Sequence, residues 1–313
     1  MNQAIGGGPD RTRRAMLAAV GGNFIWGFSF LFTKLALRSA APELVVAYRL
    51  LFAVLALNAV ALIWKVPVSL RGKNPVPLLL LGLCEPILYY VFESYGILYS
   101  SATFSGVMIG LIPVVSLGMA ALFLREKPGL WQVLFSLVSI GGVVWLSLGP
   151  DNGGVTSLLG AALMLGAVLS GAGFGLLNRS TSEAFSPFSR TYWMFTEGFV
   201  FFAVLSVLRN LDQPAALLAP LGDGVFWAAT LYLGLCSSVL AYFLINYAAT
   251  YLPVARASSF VNLTTLISIF AGVVLLREPM GGHMPLAAAM ILLGIWGVQR
   301  FARPSAGPSK RSS

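Results

Sequence analysis

Charged side chains are scarce in this sequence. Asp, Glu, Lys and Arg make up 10% of the 313 residues, whereas they make up roughly 25% of a typical soluble domain. Hydrophobic residues reach 58%, and the mean hydropathy is +0.84. A soluble core cannot bury that much apolar surface. The composition therefore excludes an ordinary soluble protein and predicts an all-α integral membrane protein.

Metal ligands and catalytic motifs are also scarce. The single histidine, His283, excludes a metalloprotease site that needs paired histidines. Cys84 and Cys236 both lie inside apolar runs, which indicates packing residues and not a disulfide or a metal pair. No G-x-S-x-G elbow is present, and Gly72 and Lys73 lack the rest of an ATP-binding loop. We therefore expect no metal, no cofactor and no enzyme activity.

Ten apolar runs have the length of about 20 residues that a helix needs to cross a bilayer. The first run is too long for a cleaved signal peptide, and no segment is left over for a soluble domain. Residues 1–14 and 304–313 are expected to be tails. The predicted spans are 15–37, 43–64, 76–98, 102–124, 130–148, 157–178, 187–208, 225–247, 255–276 and 285–302.

The positive charges are unevenly distributed between the predicted loops. If the N-terminus is cytoplasmic, fifteen Lys and Arg residues lie on the inside, and only Arg38, Arg209 and Arg277 lie on the outside. This bias follows the positive-inside rule. It predicts a multi-pass protein of the cell (inner) membrane with both termini cytoplasmic. Because topology explains the net charge of +9, a nucleic-acid partner is not needed.

The sequence contains an internal repeat. LGLC occurs at 81–84 and again at 233–236, and at the same offset Tyr90 matches Tyr242. Each copy holds five spans, an odd number, so residues 157–303 would enter the membrane opposite to residues 15–148. Two inverted five-helix repeats are typical of secondary transporters, whose site lies near the membrane midplane. A duplication kept only for folding is the alternative.

Several motifs in order resemble one known family. They are WGFSFLFTK (26–34), AYRLLFA (47–53), YGILYSSAT (95–103) and the segment 255–278 that ends in LLRE. With these motifs the chain resembles the drug/metabolite transporter superfamily, in which two EamA-type units cover residues from about 15 to 303. The resemblance implies a ten-helix permease, commonly an exporter of small metabolites, similar to the YddG-like amino-acid exporters. Thr265 departs from the proline that the family commonly has there.

Charged residues inside the spans are candidates for the site, because a charge at membrane depth must face protein or water. Glu85, Tyr89 and Glu93 share one face of the third span. Glu93 lies in one layer with Arg49 and Lys34. Two interpretations follow: an ion pair that clamps helices or acts as a gate, and a site for substrate or an ion.

Glu85 and Glu197 lie deeper, without a basic residue in their layer. Each could carry a coupling proton, bind the ammonium group of a solute, or bond a neighbouring helix. Aromatic and amide side chains complete the predicted substrate site, although aromatic residues also form interfacial belts and amides bond neighbouring helices. These further candidates are Trp26, Tyr89, Tyr90, Trp193, Tyr242, Asn246 and Asn262.

The predicted function is export of small metabolites by alternating access, in particular of amino acids including aromatic ones. Efflux of cationic drugs or of other small metabolites is the alternative. A phosphorylated substrate would require several buried cations, and only Lys34 and Arg49 qualify. The expected partners are a small-molecule substrate and the lipid bilayer. Facilitated diffusion and proton antiport both remain open, as does the oligomeric state.

Overall fold

The computed structural model describes residues 9–68, 70, 72–123, 128–148, 157–181, 184–252, 260–279 and 281–301. Within these ranges ten apolar helical segments are found and no β-strand. Seven of the helices are long and apolar enough to cross a membrane. Three are shorter: Leu130–Leu146, Val261–Leu275 and Met284–Arg300. The all-α, multi-span fold expected from the sequence is confirmed.

Four of the ten helices combine consecutive helical stretches. The helices are α1 (Pro9–Ala36), α2 (Pro42–Ile63), α3 (Val76–Gly82, Leu83–Leu88 and Tyr89–Leu98), α4 (Ala102–Ile109 and Ile112–Phe123), α5 (Leu130–Leu148), α6 (Leu158–Thr181), α7 (Pro187–Arg209), α8 (Gly224–Leu231, Tyr232–Leu240 and Ala241–Tyr251), α9 (Val261–Phe270 and Ala271–Leu275) and α10 (Met284–Arg300).

The start of the first helix differs from the prediction. α1 begins at Pro9 and not at residue 15, so residues 9–14 of the predicted tail are helical. Proline is favoured in a first turn, and the acidic side chain of Asp10 suits the positive end of a helix. The predicted start of the ninth span, 255–259, lies outside the described residues, as do 1–8 and 302–313.

Hydrogen bonds between helix ends show that α6 begins where α3 ends and that α8 begins where α1 ends. The Ser157 amide, before α6, donates to the carbonyl oxygen of Tyr99 at the end of α3, at 3.0 Å. Ser39, after α1, donates a hydrogen bond to Asp223, directly before α8. That bond, together with the Val225 amide, holds the pKa of the Asp223 carboxyl below its ordinary value. These residues lie at the end of the bundle away from the start of α1, which we call the opposite end.

The other end is where α1 begins, and we call it the basic end. Its described Lys and Arg residues are Arg11, Arg13, Arg14, Lys65, Lys73, Arg179, Arg190 and Arg300, whereas the opposite end carries Arg38, Arg209 and Arg277. Here the Lys73 ammonium donates to the Ala184 carbonyl oxygen at 2.7 Å, which ties the segment before α3 to the segment before α7.

The first five helices, α1–α5, pack against the last five, α6–α10, through several helix pairs. α5 packs on α10, α1 packs on α8 and α9, and α2 packs on α7 and α8. The α5–α10 contact requires a glycine, because a Cβ on Gly294 would lie 2.5 Å from the Ser139 Cβ and 2.6 Å from the Phe135 carbonyl oxygen. Small residues allow such close approach in membrane bundles. The pairing leaves space in the middle of the bundle.

Candidate functional site

A cavity of about 240 Å³ lies in the middle of the helix bundle. Seven helices from both repeats contribute to it, and its lining carries two carboxylates, one guanidinium and several aromatic rings. The lining residues are Asn23, Trp26, Ser29, Phe30, Arg49, Glu85, Tyr89, Tyr90, Glu93, Ile109, Ile112, Pro113, Gly171, Phe174, Ser237, Tyr242, Val261 and Thr264.

An interruption in α3 brings its polar residues to the cavity. At Glu85 the backbone leaves the helical region, with φ −145° and ψ 119°. Pro86 follows and has no amide hydrogen to continue the helical ladder. Irregular backbone at membrane depth is tolerated where it lines a cavity. The interruption therefore fits a helix that forms one wall of a solute site.

The carboxylate of Glu85 joins the two repeats. The Tyr242 hydroxyl of α8 donates a hydrogen bond to Glu85 Oε1 of α3. Tyr242 also packs edge-on against Trp26 of α1, with ring centroids 5.4 Å apart, and against Phe195 of α7 at 5.3 Å. One tyrosine thus connects a carboxylate and two aromatic rings at the wall of the cavity.

Arg49 of α2 is buried and held from several sides. Its Nε donates to Ser238 Oγ at 2.9 Å, and its Nη2 donates to Ser237 Oγ at 3.3 Å. The guanidinium carbon lies 4.1 Å from the centre of the Tyr90 ring, a cation–π geometry. Its Nη1 lies 3.7 Å from Glu93 Oε2. The orientation of the guanidinium is therefore fixed, with Nη1 directed toward the Glu93 carboxylate.

Glu93 has one satisfied oxygen and one unsatisfied oxygen. The Tyr89 hydroxyl donates to Glu93 Oε1 at 3.2 Å. Glu93 Oε2 is buried and receives no hydrogen bond among the described residues, since the 3.7 Å to Arg49 Nη1 is longer than a hydrogen bond. Buried polar atoms without a partner are rare in folded proteins. Among the residues that line the central cavity, Glu93 Oε2 is the buried side-chain polar atom that lacks a hydrogen bond in the described part of the chain.

Lys34 does not pair with Glu93. Its ammonium donates to the carbonyl oxygens of Ile97, at 2.7 Å, and of Ser100, at the C-terminal end of α3. A cation is favoured there by the negative end of the helix dipole and by unpaired carbonyl groups. Lys34 therefore ties α1 to the end of α3 and does not line the cavity.

Glu278, which follows α9, makes the complementary contact at the start of α4. Its carboxylate accepts hydrogen bonds from the Ala102 amide at 2.7 Å, the Thr103 amide at 2.9 Å and the Thr103 hydroxyl at 2.7 Å. A Cβ on Gly272 would collide with Thr103 Oγ1 and lie 2.5 Å from Glu278 Oε2. Together with Lys34, this contact fixes the α3–α4 connection at the opposite end.

Trp193 and Glu197 of α7, which the sequence placed at the substrate site, lie away from the central cavity. The Trp193 indole donates to the Val68 carbonyl oxygen at 2.8 Å and packs in a small cluster at the basic end. The Glu197 carboxylate packs against α3 so closely that a Cβ on Gly82 would collide with it. Neither residue belongs to the lining of the central cavity.

A second, smaller cavity of about 90 Å³ adjoins the first toward the basic end. Trp26, Phe174 and Tyr242 belong to the linings of both cavities. Asn246 lines only the smaller one, whereas Asn262 lines neither, although its Oδ1 is buried without a donor among the described residues. The other residues of the smaller lining are Asn178, Pro187, Arg190, Thr191, Met194 and Ile245.

Several residues of the site were not singled out from the sequence. Ser237 occupies the position that corresponds to Glu85 in the second repeat, so the repeat alignment could have revealed it. Thr264 Oγ1 lies 3.1 Å from both the Asn23 carbonyl and side-chain oxygens, and it joins α9 to α1. Arg190 was one of the fifteen positive residues assigned to the cytoplasmic side from the sequence, and it was not expected at a cavity. No periodicity indicates that these side chains face a cavity.

A bundle of apolar helices around a central cavity that carries buried charges defines a membrane carrier. The chain belongs to the EamA-like transporter family, whose sequence profile matches residues 13–148 and 158–300. This confirms the resemblance to the drug/metabolite transporter superfamily.

Individual relatives agree with this assignment. The chain is 32% identical over 287 residues to the uncharacterized transporter YcxC of Bacillus subtilis, across 90% of this chain and 92% of YcxC. It is 25% identical over 250 residues to a probable terminal-alkyne amino-acid exporter of Streptantibioticus cattleyicolor, across 79% of this chain and 80% of that protein. A solved crystal structure has the same fold, with a TM-score of 0.65 at 18% identity, across 92% of this chain and 98% of the other.

Proposed function

We propose that the protein exports small metabolites, in particular amino acids including aromatic ones, by alternating access around the central cavity. The observation that carries this proposal is Glu93 Oε2, a buried carboxylate oxygen at the cavity that receives no hydrogen bond among the described residues. An ammonium group brings three donors and a positive charge. A solute with an ammonium group therefore supplies the hydrogen-bond donor that this oxygen lacks.

The same corner of the cavity accommodates the carboxylate of an amino acid. Arg49 directs Nη1 toward Glu93, and its other two nitrogens are occupied by Ser237 and Ser238. Guanidinium groups bind carboxylates through charge-assisted hydrogen bonds. An amino acid beside Arg49 and Glu93 places its carboxylate near the guanidinium and its ammonium group near the Glu93 carboxylate, because these two groups lie 3.7 Å apart. A purely cationic solute would meet the repulsion of Arg49 as well as the attraction of Glu93.

The size and wall of the cavity favour a small solute. Its 240 Å³ is below the roughly 300–1,000 Å³ of pockets for drug-sized ligands. The rings of Trp26, Tyr89 and Tyr242 provide surfaces on which a flat side chain stacks. The similarity to a probable amino-acid exporter supports the same substrate class. A lipophilic cationic drug is the competing substrate.

The charge distribution supports the orientation in the membrane. With the basic end in the cytoplasm, the chain follows the positive-inside rule, and both termini lie on the cytoplasmic side of the cell membrane. The smaller cavity then extends from the central cavity toward the cytoplasm, while Lys34 and Glu278 tie helices together at the outer end. This arrangement corresponds to a carrier that loads solute from inside.

The test is uptake of radiolabelled phenylalanine into liposomes that contain the purified protein, with and without a pH gradient. We expect saturable uptake that other amino acids compete. Glu93→Gln should lower kcat/KM by roughly ten- to hundredfold, because a charge-assisted bond to the ammonium group is lost. A dependence on the pH gradient would favour proton exchange over facilitated diffusion.

Glu197→Gln is the matched control, since Glu197 is also a carboxylate inside a span but does not line the cavity. It should change uptake less than twofold. Folded protein that takes up tetraphenylphosphonium but no amino acid would refute the proposed substrate. Equal losses from both glutamine variants would show that Glu93 has no special role.

A further inference from the structure

The smaller cavity contains an arginine that has no role in the central site. Arg190 of α7 lines it, and its Nη1 donates to the Asn178 carbonyl oxygen at 2.7 Å and to the Asn178 side-chain oxygen. Its Nε is buried and donates to no acceptor among the described residues. The two ion pairs found in the described part of the chain are Arg49–Glu93 and Arg209–Glu43, so no carboxylate neutralises Arg190 there.

The position of Arg190 strengthens the positive potential of the smaller cavity. α7 begins at Pro187, which is also part of the lining, with Ser186 as its capping residue. The N-terminal end of a helix carries partial positive charge and favours anions. Arg190 and the first turn of α7 therefore present positive charge to one small, partly apolar space.

We propose that the smaller cavity is a loading site that binds the carboxylate group of the solute through Arg190 before the solute reaches the central cavity. This rests on the proposed amino-acid substrate. The shared wall of Trp26, Phe174 and Tyr242 places the two sites in sequence along one path from the basic end. The carboxylate is held at Arg190, and the ammonium group then binds Glu93 in the central cavity.

A labelling experiment tests binding without depending on transport. Ile245 lines the smaller cavity and is partly exposed, so Ile245→Cys, with Cys84 and Cys236 replaced by alanine, reports its occupancy through the rate of reaction with N-ethylmaleimide. We expect 3-phenylpropionate to slow this reaction and phenethylamine, which lacks the carboxylate, to leave it unchanged. Arg190→Gln should abolish the protection, and Arg190→Lys should retain part of it.

Transport kinetics provide the second readout. Arg190→Gln should raise the KM for phenylalanine applied at the basic end by roughly tenfold or more, with kcat changed far less. Arg300→Gln, an exposed charge at the same end, is the matched control and should leave KM unchanged. A variant that lowers kcat and KM equally, or that leaves KM unchanged, contradicts a loading site.

The failure of this inference and the failure of the proposed function are distinguishable. If phenylalanine is transported but no carboxylate compound protects Ile245→Cys, the loading site is wrong and the substrate class stands. If 3-phenylpropionate protects the cysteine in an Arg190-dependent manner but no amino acid is transported, the anion site stands and the amino-acid substrate is wrong. If neither is observed with folded protein, both are wrong.

Discussion

Removing the carboxylate of Glu278 should open the opposite end of the bundle. Three hydrogen bonds, at 2.7, 2.9 and 2.7 Å, join this carboxylate to Ala102 and Thr103 at the start of α4. α9 and α4 belong to different repeats, and alternating access requires the repeats to separate at one end while they close at the other. Under the proposed alternating access, these bonds form only when the opposite end is closed, and their loss should favour the open conformation.

The magnitude follows from the kind of bond that is lost. The carboxylate caps a helix N-terminus, and in Glu278→Ala water can replace it at the freed amides. The loss should therefore be close to that of a strong helix cap, about 2 kcal/mol. This corresponds to a shift of about 30-fold in the equilibrium between closed and open conformations. Gly272→Ala should act in the same direction without a change of charge, because its Cβ would collide with Thr103 Oγ1.

The assay is thiol labelling with a reagent added on the side of the membrane that the opposite end of the bundle faces. Ser29 lines the central cavity, so Ser29→Cys, with Cys84 and Cys236 replaced by alanine, reacts with a membrane-impermeant maleimide only when the opposite end is open. Glu278→Ala should raise the labelling rate by about 30-fold. The control is Arg277→Gln, an exposed neighbour in the same loop. An unchanged rate in folded Glu278→Ala protein would refute the role of this contact in closure.

Two further predictions concern stability. Arg49→Gln leaves Glu93 as a buried carboxylate without its cation, which should lower the free energy of unfolding by about 3–5 kcal/mol; thermal unfolding in detergent measures this, and adding Glu93→Gln should restore part of the loss. Gly294→Leu should separate α5 from α10, because even a Cβ would lie 2.5 Å from the Ser139 Cβ. Size-exclusion profiles should then show little folded protein, whereas Gly118→Leu, which faces open space, should behave as wild type.

The number of helices and their class followed from the sequence because apolar length is set by the thickness of the bilayer. The position of buried charges along each span was also readable. Counting residues from the span ends put Arg49 and Glu93 in one layer, and the structure brings their charged atoms to 3.7 Å. Depth in the membrane is thus encoded by position in the chain.

The rotation of each helix about its own axis could not be predicted from the sequence. In a membrane both the lipid-facing and the protein-facing sides of a helix are apolar, so hydrophobic periodicity does not tell them apart. For this reason Glu197 and Trp193 were expected at the substrate site, although they face α3 and the segment after α2. Lys34 donates to backbone carbonyl groups and not to a carboxylate. The sequence could not indicate this contact, because the unpaired carbonyl groups at a helix end are not visible in a pattern of side chains.

A crystal structure with bound 4-iodophenylalanine tests the central claim most directly, because the iodine atom is located by its anomalous scattering. The predicted result is one iodine peak in the central cavity beside the rings of Trp26 and Tyr242, with the ammonium group of the ligand against Glu93 Oε2. Iodine peaks found only outside the cavity, at a ligand concentration that saturates transport, would contradict the assignment of this cavity as the substrate site.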